Sequence, residues 1–167
     1  MASLYFLDVC GFHQQCPYWY NGFTLFENYP PGAFFVMYPL YLLFGKIELA
    51  YFVFLVLLLL AGLVLLLQFA RVCGLHSLEG MLFFALLFGN AVAIGNFVRL
   101  GRTPELFGWV LFLALMILIY RYKDRPFDAR FFVGFPLLYA ALLLSHQVVP
   151  VLVHFPILSL FLVKSWH

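Results

Sequence analysis

The side chains able to do chemistry fall in three short stretches. In LDVCGFH, Asp8 and His13 set a carboxylate near an imidazole, a pair that can act as a general base or as partners of a metal or phosphate. A solvated loop would hold the same residues. Cys10 and Cys16 flank His13, giving three local metal donors where a closed zinc site wants four. A disulfide in an oxidising compartment, or two unpaired thiols, are the other readings. In GRTPE, Glu105 follows Arg99 and Arg102. Thr103 as N-cap, Pro104 as first helical residue and Glu105 against the helix dipole explain this acid by capping alone. The two arginines suit a phosphate, or a lipid headgroup. The third stretch is LLLSHQVVP, where His146 is either a candidate site in a membrane setting or a helix cap at its surface.

These groups must be positioned by a very apolar chain. Of 167 residues, 66% are hydrophobic and 10% charged, against about 45–50% and about 25% in soluble domains. The mean hydropathy is +1.04. The composition makes this an all-α, polytopic membrane protein, because a lipid-exposed backbone must bond within itself. A net charge of +2 without a basic stripe argues against nucleic acid as a partner. The first residues lack a basic start and a full apolar run, so they do not read as a signal peptide.

About five transmembrane helices are expected, at 49–69, 78–98, 106–120, 131–145 and 148–163, in a single membrane domain. A stretch at 31–44 is too short to span, since about 20 residues are needed, and it contains Pro39. It reads as a re-entrant or interfacial helix after an outer loop at 1–30. If it does not cross, Arg71, Arg121, Lys123, Arg125, Arg130 and Lys164 share one side, and Lys46, Arg99 and Arg102 the other. The excess of basic residues then marks the cytoplasmic side and puts the N-terminal loop, the 101–105 turn and the His146 break outside. Asn90 and Asn96, near Gly89 and Gly95, suit bonding and close packing between helices. The aromatics at 18–20 suit an interfacial belt, or stacking on sugars.

In order along the chain, DVCGFH, PYWYNGFTLFENYPPGAFFVMYPLYLLFG, GRTPE and LLLSHQVV resemble membrane glycosyltransferases of the GT-C superfamily. The likeness is greatest to archaeal and bacterial multipass proteins that carry the label 6-pyruvoyl-tetrahydropterin synthase-related. The layout is also similar to oligosaccharyltransferases and protein mannosyltransferases. The resemblance implies transfer of a sugar from a polyprenyl-phosphate-linked donor at the outer face of the cell membrane. Asp8 and Glu105 would be the catalytic acids of the first and second outer loops, able to share a magnesium or manganese ion. His13 would neighbour Asp8. Arg102 and His146 would meet the donor phosphate, and Glu27, Tyr29, Pro30 and Pro31 would shape the vestibule. Relatives of this kind begin with a further helix and continue beyond the last one here, so the chain is expected to be part of a larger module. The partners implied are the donor, membrane lipid and the remainder of a split transferase. The alternative is a non-catalytic subunit that binds lipid or a larger transferase.

Overall fold

A computed structural model describes residues 2–12, 15–17, 22–24, 26 and 30–166. Among these the protein is all-α apart from one two-residue hairpin. The elements are α1 (Ala2–Cys10), β1 (Gln15–Cys16), β2 (Phe23–Thr24), α2 (Gly32–Phe44), α3 (Ile47–Val72), α4 (Ser77–Phe88) and α5 (Ala91–Ile94). A π-helical segment (Gly95–Arg99) follows, then α6 (Thr103–Tyr122), α7 (Ala129–Ser145) and α8 (Val149–Trp166). The segment expected to be an outer loop therefore opens with a helix, and Leu4 of α1 is wholly buried.

Two helices, α3 and α6, are long and apolar enough to cross a membrane. At 26 and 20 residues they measure about 39 and about 30 Å, against a hydrocarbon core of about 30 Å. The expected span at 78–98 is not one straight helix. Ser77–Phe88 and Ala91–Arg99 meet at a 51° bend and count as a third span only when taken together. Asn90 explains the break. Its side-chain oxygen accepts from the N–H groups of Val92 and Ala93, capping a new helix, while its amide donates to the Leu86 carbonyl at 2.6 Å. Asn90 thus ends one helix and starts the next, where bonding between helices was expected. The remaining expected spans form α7 and α8, at 17 and 18 residues. Of the five expected spans, two or three reach spanning length.

α6 is the central helix, with every residue from Thr103 to Tyr120 buried or half-buried. Its first half joins α2, α3, α5 and the π segment in one apolar core. Its second half joins α7 and α8 in another. The outer surface is a belt of large apolar side chains: Leu86 is 68% exposed and Phe155 69%. A water-soluble protein rarely shows so continuous an apolar surface, and lipid is the solvent that suits it.

Close contacts give the helix directions. A Cβ on Gly108 would lie 3.1 Å from Ser145 Oγ, and one on Gly101 would lie 3.2 Å from the Tyr51 hydroxyl. The starts of α3 and α6 and the end of α7 therefore share one end of the bundle. Gly32 sits there too, since its Cβ would come to 2.5 Å from the Leu144 carbonyl oxygen. α2 thus begins at this end, and Gly45 and Lys46 join it to the start of α3. Its 13 residues reach about 20 Å. The helix is too short to cross a membrane by itself.

Candidate functional site

The end of the bundle where α3 and α6 begin gathers Pro31, Arg102, Glu105 and His146. Each reaches it through a local feature. Gly101, at φ +67°, turns the chain into α6. The Thr103 hydroxyl donates back to the Gly101 carbonyl at 3.2 Å. Arg102, not Thr103, occupies the cap position, and Pro104 lies in the first turn. Thr103 is 2% exposed, so its hydroxyl is committed to the turn and does not cap the helix. Glu105 stands in the first turn, where a negative charge complements the dipole. Its carboxylate lies 3.8 Å from the Arg102 guanidinium.

His146 occupies the turn between α7 and α8. Its Nδ1 accepts from the Val148 N–H at 3.3 Å, so the neutral ring carries its proton on Nε2. Burial holds its pKa below the usual histidine value. The Glu105 charge opposes that shift and the Arg102 charge adds to it. These long-range effects tie His146 to both α6 residues. Pro31 accepts from the N–H groups of Phe34 and Phe35 to start α2. The adjoining Gly32 seats that start on Leu144. Pro30 and Pro31 are both half-buried beside this junction.

Asp8 makes a different set of contacts. The hydroxyls of Tyr38 and Tyr41 on α2 donate to its carboxylate at 3.4 and 3.0 Å. Glu105 pairs with Arg102 instead. Among the described residues no group of three or more His, Cys, Asp or Glu is placed to hold a metal ion. His13, Glu27 and Tyr29 lie outside the described residues, as do the aromatics at 18–20. Cys10 and Cys16 form a disulfide with their Cα atoms 5.3 Å apart, which resolves the three readings of these cysteines. The pair ties the end of α1 to β1. Phe12 and Phe26 then stack over Phe34 and Phe35 of α2, with ring centroids 5.1–5.6 Å apart.

Below the charged cluster lies a feature the motifs do not signal. A cavity of about 350 Å³ is lined by Leu87, Phe88, Asn90, Phe97, Trp109 and Phe112, among others. Trp109 and Phe112 follow Glu105 at i+4 and i+7, so the three share one face of α6. Residues on both sides of the α4–α5 break line the cavity against that face. The π segment completes the wall, its Leu100 N–H bonding to the Gly95 carbonyl at 2.9 Å. Such one-turn π segments recur at functional sites. A polar break at Asn90 inside an apolar run, followed by Asn96, is the signal in the sequence that marks the place.

No protein-family model matches the chain, no characterised protein matches its sequence, and no solved structure matches its fold. Fold and site define it as an all-α protein with two to three helices able to cross a membrane, carrying a charged cluster over an apolar cavity at one end.

Proposed function

We propose that the chain is a glycosyltransferase-like membrane protein that takes a sugar from a polyprenyl-phosphate-linked donor. The observation that carries this reading is the continuity, along one face of α6, between the Arg102–Glu105 pair and the apolar cavity under Trp109 and Phe112. An isoprenoid chain has the shape and polarity for the cavity. A phosphate above it would meet the Arg102 guanidinium and the Nε2–H of His146. In transfer, the acceptor hydroxyl oxygen bonds to the sugar's anomeric carbon. The bond from that carbon to the phosphate oxygen breaks, and the phosphate leaves with the electron pair. A carboxylate, Asp8 or Glu105, takes the hydroxyl proton. Magnesium or manganese would suit the same carboxylates as oxygen ligands, provided that the two loops close together.

Two observations support an outward-facing site. The end bearing it has few basic residues, as an external face does. The Cys10–Cys16 disulfide is attached there, and disulfides persist in oxidising compartments.

One observation favours the second reading, a non-catalytic subunit: the Asp8 carboxylate is already engaged by two tyrosine hydroxyls. Purified protein in detergent, titrated with a polyprenyl-phosphate sugar with and without manganese and assayed for transfer, separates the two. The enzyme reading expects Arg102→Gln and Glu105→Gln to weaken donor binding, and Asp8→Asn to bind but not transfer. Binding without transfer in the wild type supports the subunit. Absence of binding in every form contradicts the enzyme reading and leaves a subunit that binds a larger transferase.

A further inference from the structure

At the opposite end of the bundle, the ends of α3 and α6 and the turn that follows enclose a cavity of about 470 Å³. It is lined by Val72, Tyr120, Arg121, Lys123, Asp124 and Arg125. Arg71 adjoins Val72 in the last turn of α3.

The acids at this end are committed elsewhere. Asp124 lies 3.6 Å from the Lys123 ammonium. Asp128 caps α7, accepting from the Phe131 N–H at 3.0 Å and from the Tyr122 hydroxyl. Those bonds, the hydroxyl first, hold its carboxyl below the usual range. Glu79 accepts the His76 N–H at 2.6 Å. Two cations are committed as well. Lys123 lies 4.3 Å from the centre of the Tyr120 ring, and Lys164 donates to the Arg125 carbonyl. The Lys164 bond fixes the backbone of the turn to α8. Of the basic residues that line the cavity, Arg121 and Arg125 remain. Neither guanidinium forms a hydrogen bond or ion pair with a described residue. Both line a concave site whose other lining residues include Val72 and Tyr120.

We propose that this cavity binds the phosphate of an anionic phospholipid from the bordering leaflet, with Arg121 and Arg125 as its donors. Guanidinium groups match phosphate oxygens in fixed, paired geometry. Basic pockets at the ends of membrane helices favour anionic headgroups. The half-apolar lining selects a lipid over a free phosphate, because Val72 and Tyr120 offer a surface to the first carbons of an acyl chain.

The test is native mass spectrometry of the full chain in detergent, presented with phosphatidylglycerol, phosphatidylcholine or inorganic phosphate. Phosphatidylglycerol should be retained and phosphatidylcholine not. The double variant Arg121→Gln, Arg125→Gln should weaken phosphatidylglycerol retention about twentyfold, whereas Lys46→Gln at the other end should leave it unchanged. Thermal melting checks that each variant is folded. If the double variant does not fold, Arg121→Gln alone should weaken retention about fivefold. Undiminished retention in the variants, equal retention of phosphatidylcholine, or displacement by inorganic phosphate would each overturn the assignment.

Discussion

The two ends of the bundle are built from the same helices and carry charge in opposite ways. At the end with Glu105, charges are few and set close to packed backbone. Arg102 faces Glu105, His146 is half-buried, and glycines at 32 and 108 let helices meet. At the far end, basic residues outnumber acids, and the acids are committed to capping and local pairs. The lesson is that a charge count alone does not find a site. The basic end shows the stronger sequence signal, and it is a place to meet a membrane surface. The sparse end shows less charge, and there the backbone geometry brings distant loops together.

If that convergence rests on close backbone approach, the largest effect should come from Gly32→Val. Its side chain would meet the Leu144 carbonyl, and overpacking of this kind costs about 3 kcal/mol. A lowered thermal midpoint in detergent, together with lost donor binding, is the expected result. Gly134→Ala in α7 is the matching control. A Cβ there meets only Leu118, at 3.6 Å, so stability should hold or rise slightly. Equal loss in both variants would break the comparison between the ends.

The next effect should come from the disulfide. Cys10 and Cys16 close a loop with a sequence separation of 6. Opening it by Cys10→Ser, Cys16→Ser should cost about 2 kcal/mol by the loop-entropy relation. The wild-type bond sharpens the orientation: a membrane-impermeant reductant applied to intact cells should open it only if this end faces outward.

These tests also separate what was legible in the sequence from what was not. The all-α class followed from composition, and a helix at 31–44 too short to span followed from the length of that apolar stretch. The joining of the 101–105 turn to His146 followed from charge counting. The break at Asn90 was missed because hydropathy reads 78–98 as continuous, whereas a side-chain amide that bonds backbone on both sides ends a helix without changing apolarity. The cap of α6 was misplaced for a related reason. Thr103 looks like a cap by type, but Gly101 turns one residue too early for its hydroxyl to reach forward. The cavity under Trp109 is lined from both sides of that break, and its trace in the sequence is the polar pair Asn90 and Asn96.

A smaller effect is expected from the charged pair. Arg102→Gln should weaken binding of a polyprenyl-phosphate sugar about tenfold, the scale of one charge-assisted contact, with little change in thermal midpoint. The pair is an exposed i, i+3 contact and contributes little to the fold. A change in stability without a change in affinity would reassign Arg102 to structure.

The smallest effect concerns pH. His146 has a pKa below its ordinary value, so the unfolded chain binds its proton more readily than the folded one. Stability should be level above about pH 6.5 and should fall as pH drops from there toward the folded-state value. His146→Gln should remove that part of the slope, as read by thermal melting across a pH series.

The central claim is that a lipid-linked phosphate sits at Arg102 with its chain along α6. The most direct measurement is photo-crosslinking with a polyprenyl phosphate that carries a diazirine in its first isoprene units, followed by peptide mapping. Labelling is expected at Phe97, Trp109 and Phe112, and it should fall about tenfold in Arg102→Gln at subsaturating probe. Labelling spread evenly over the lipid-facing belt of α3, α7 and α8, or undiminished in Arg102→Gln, would contradict it.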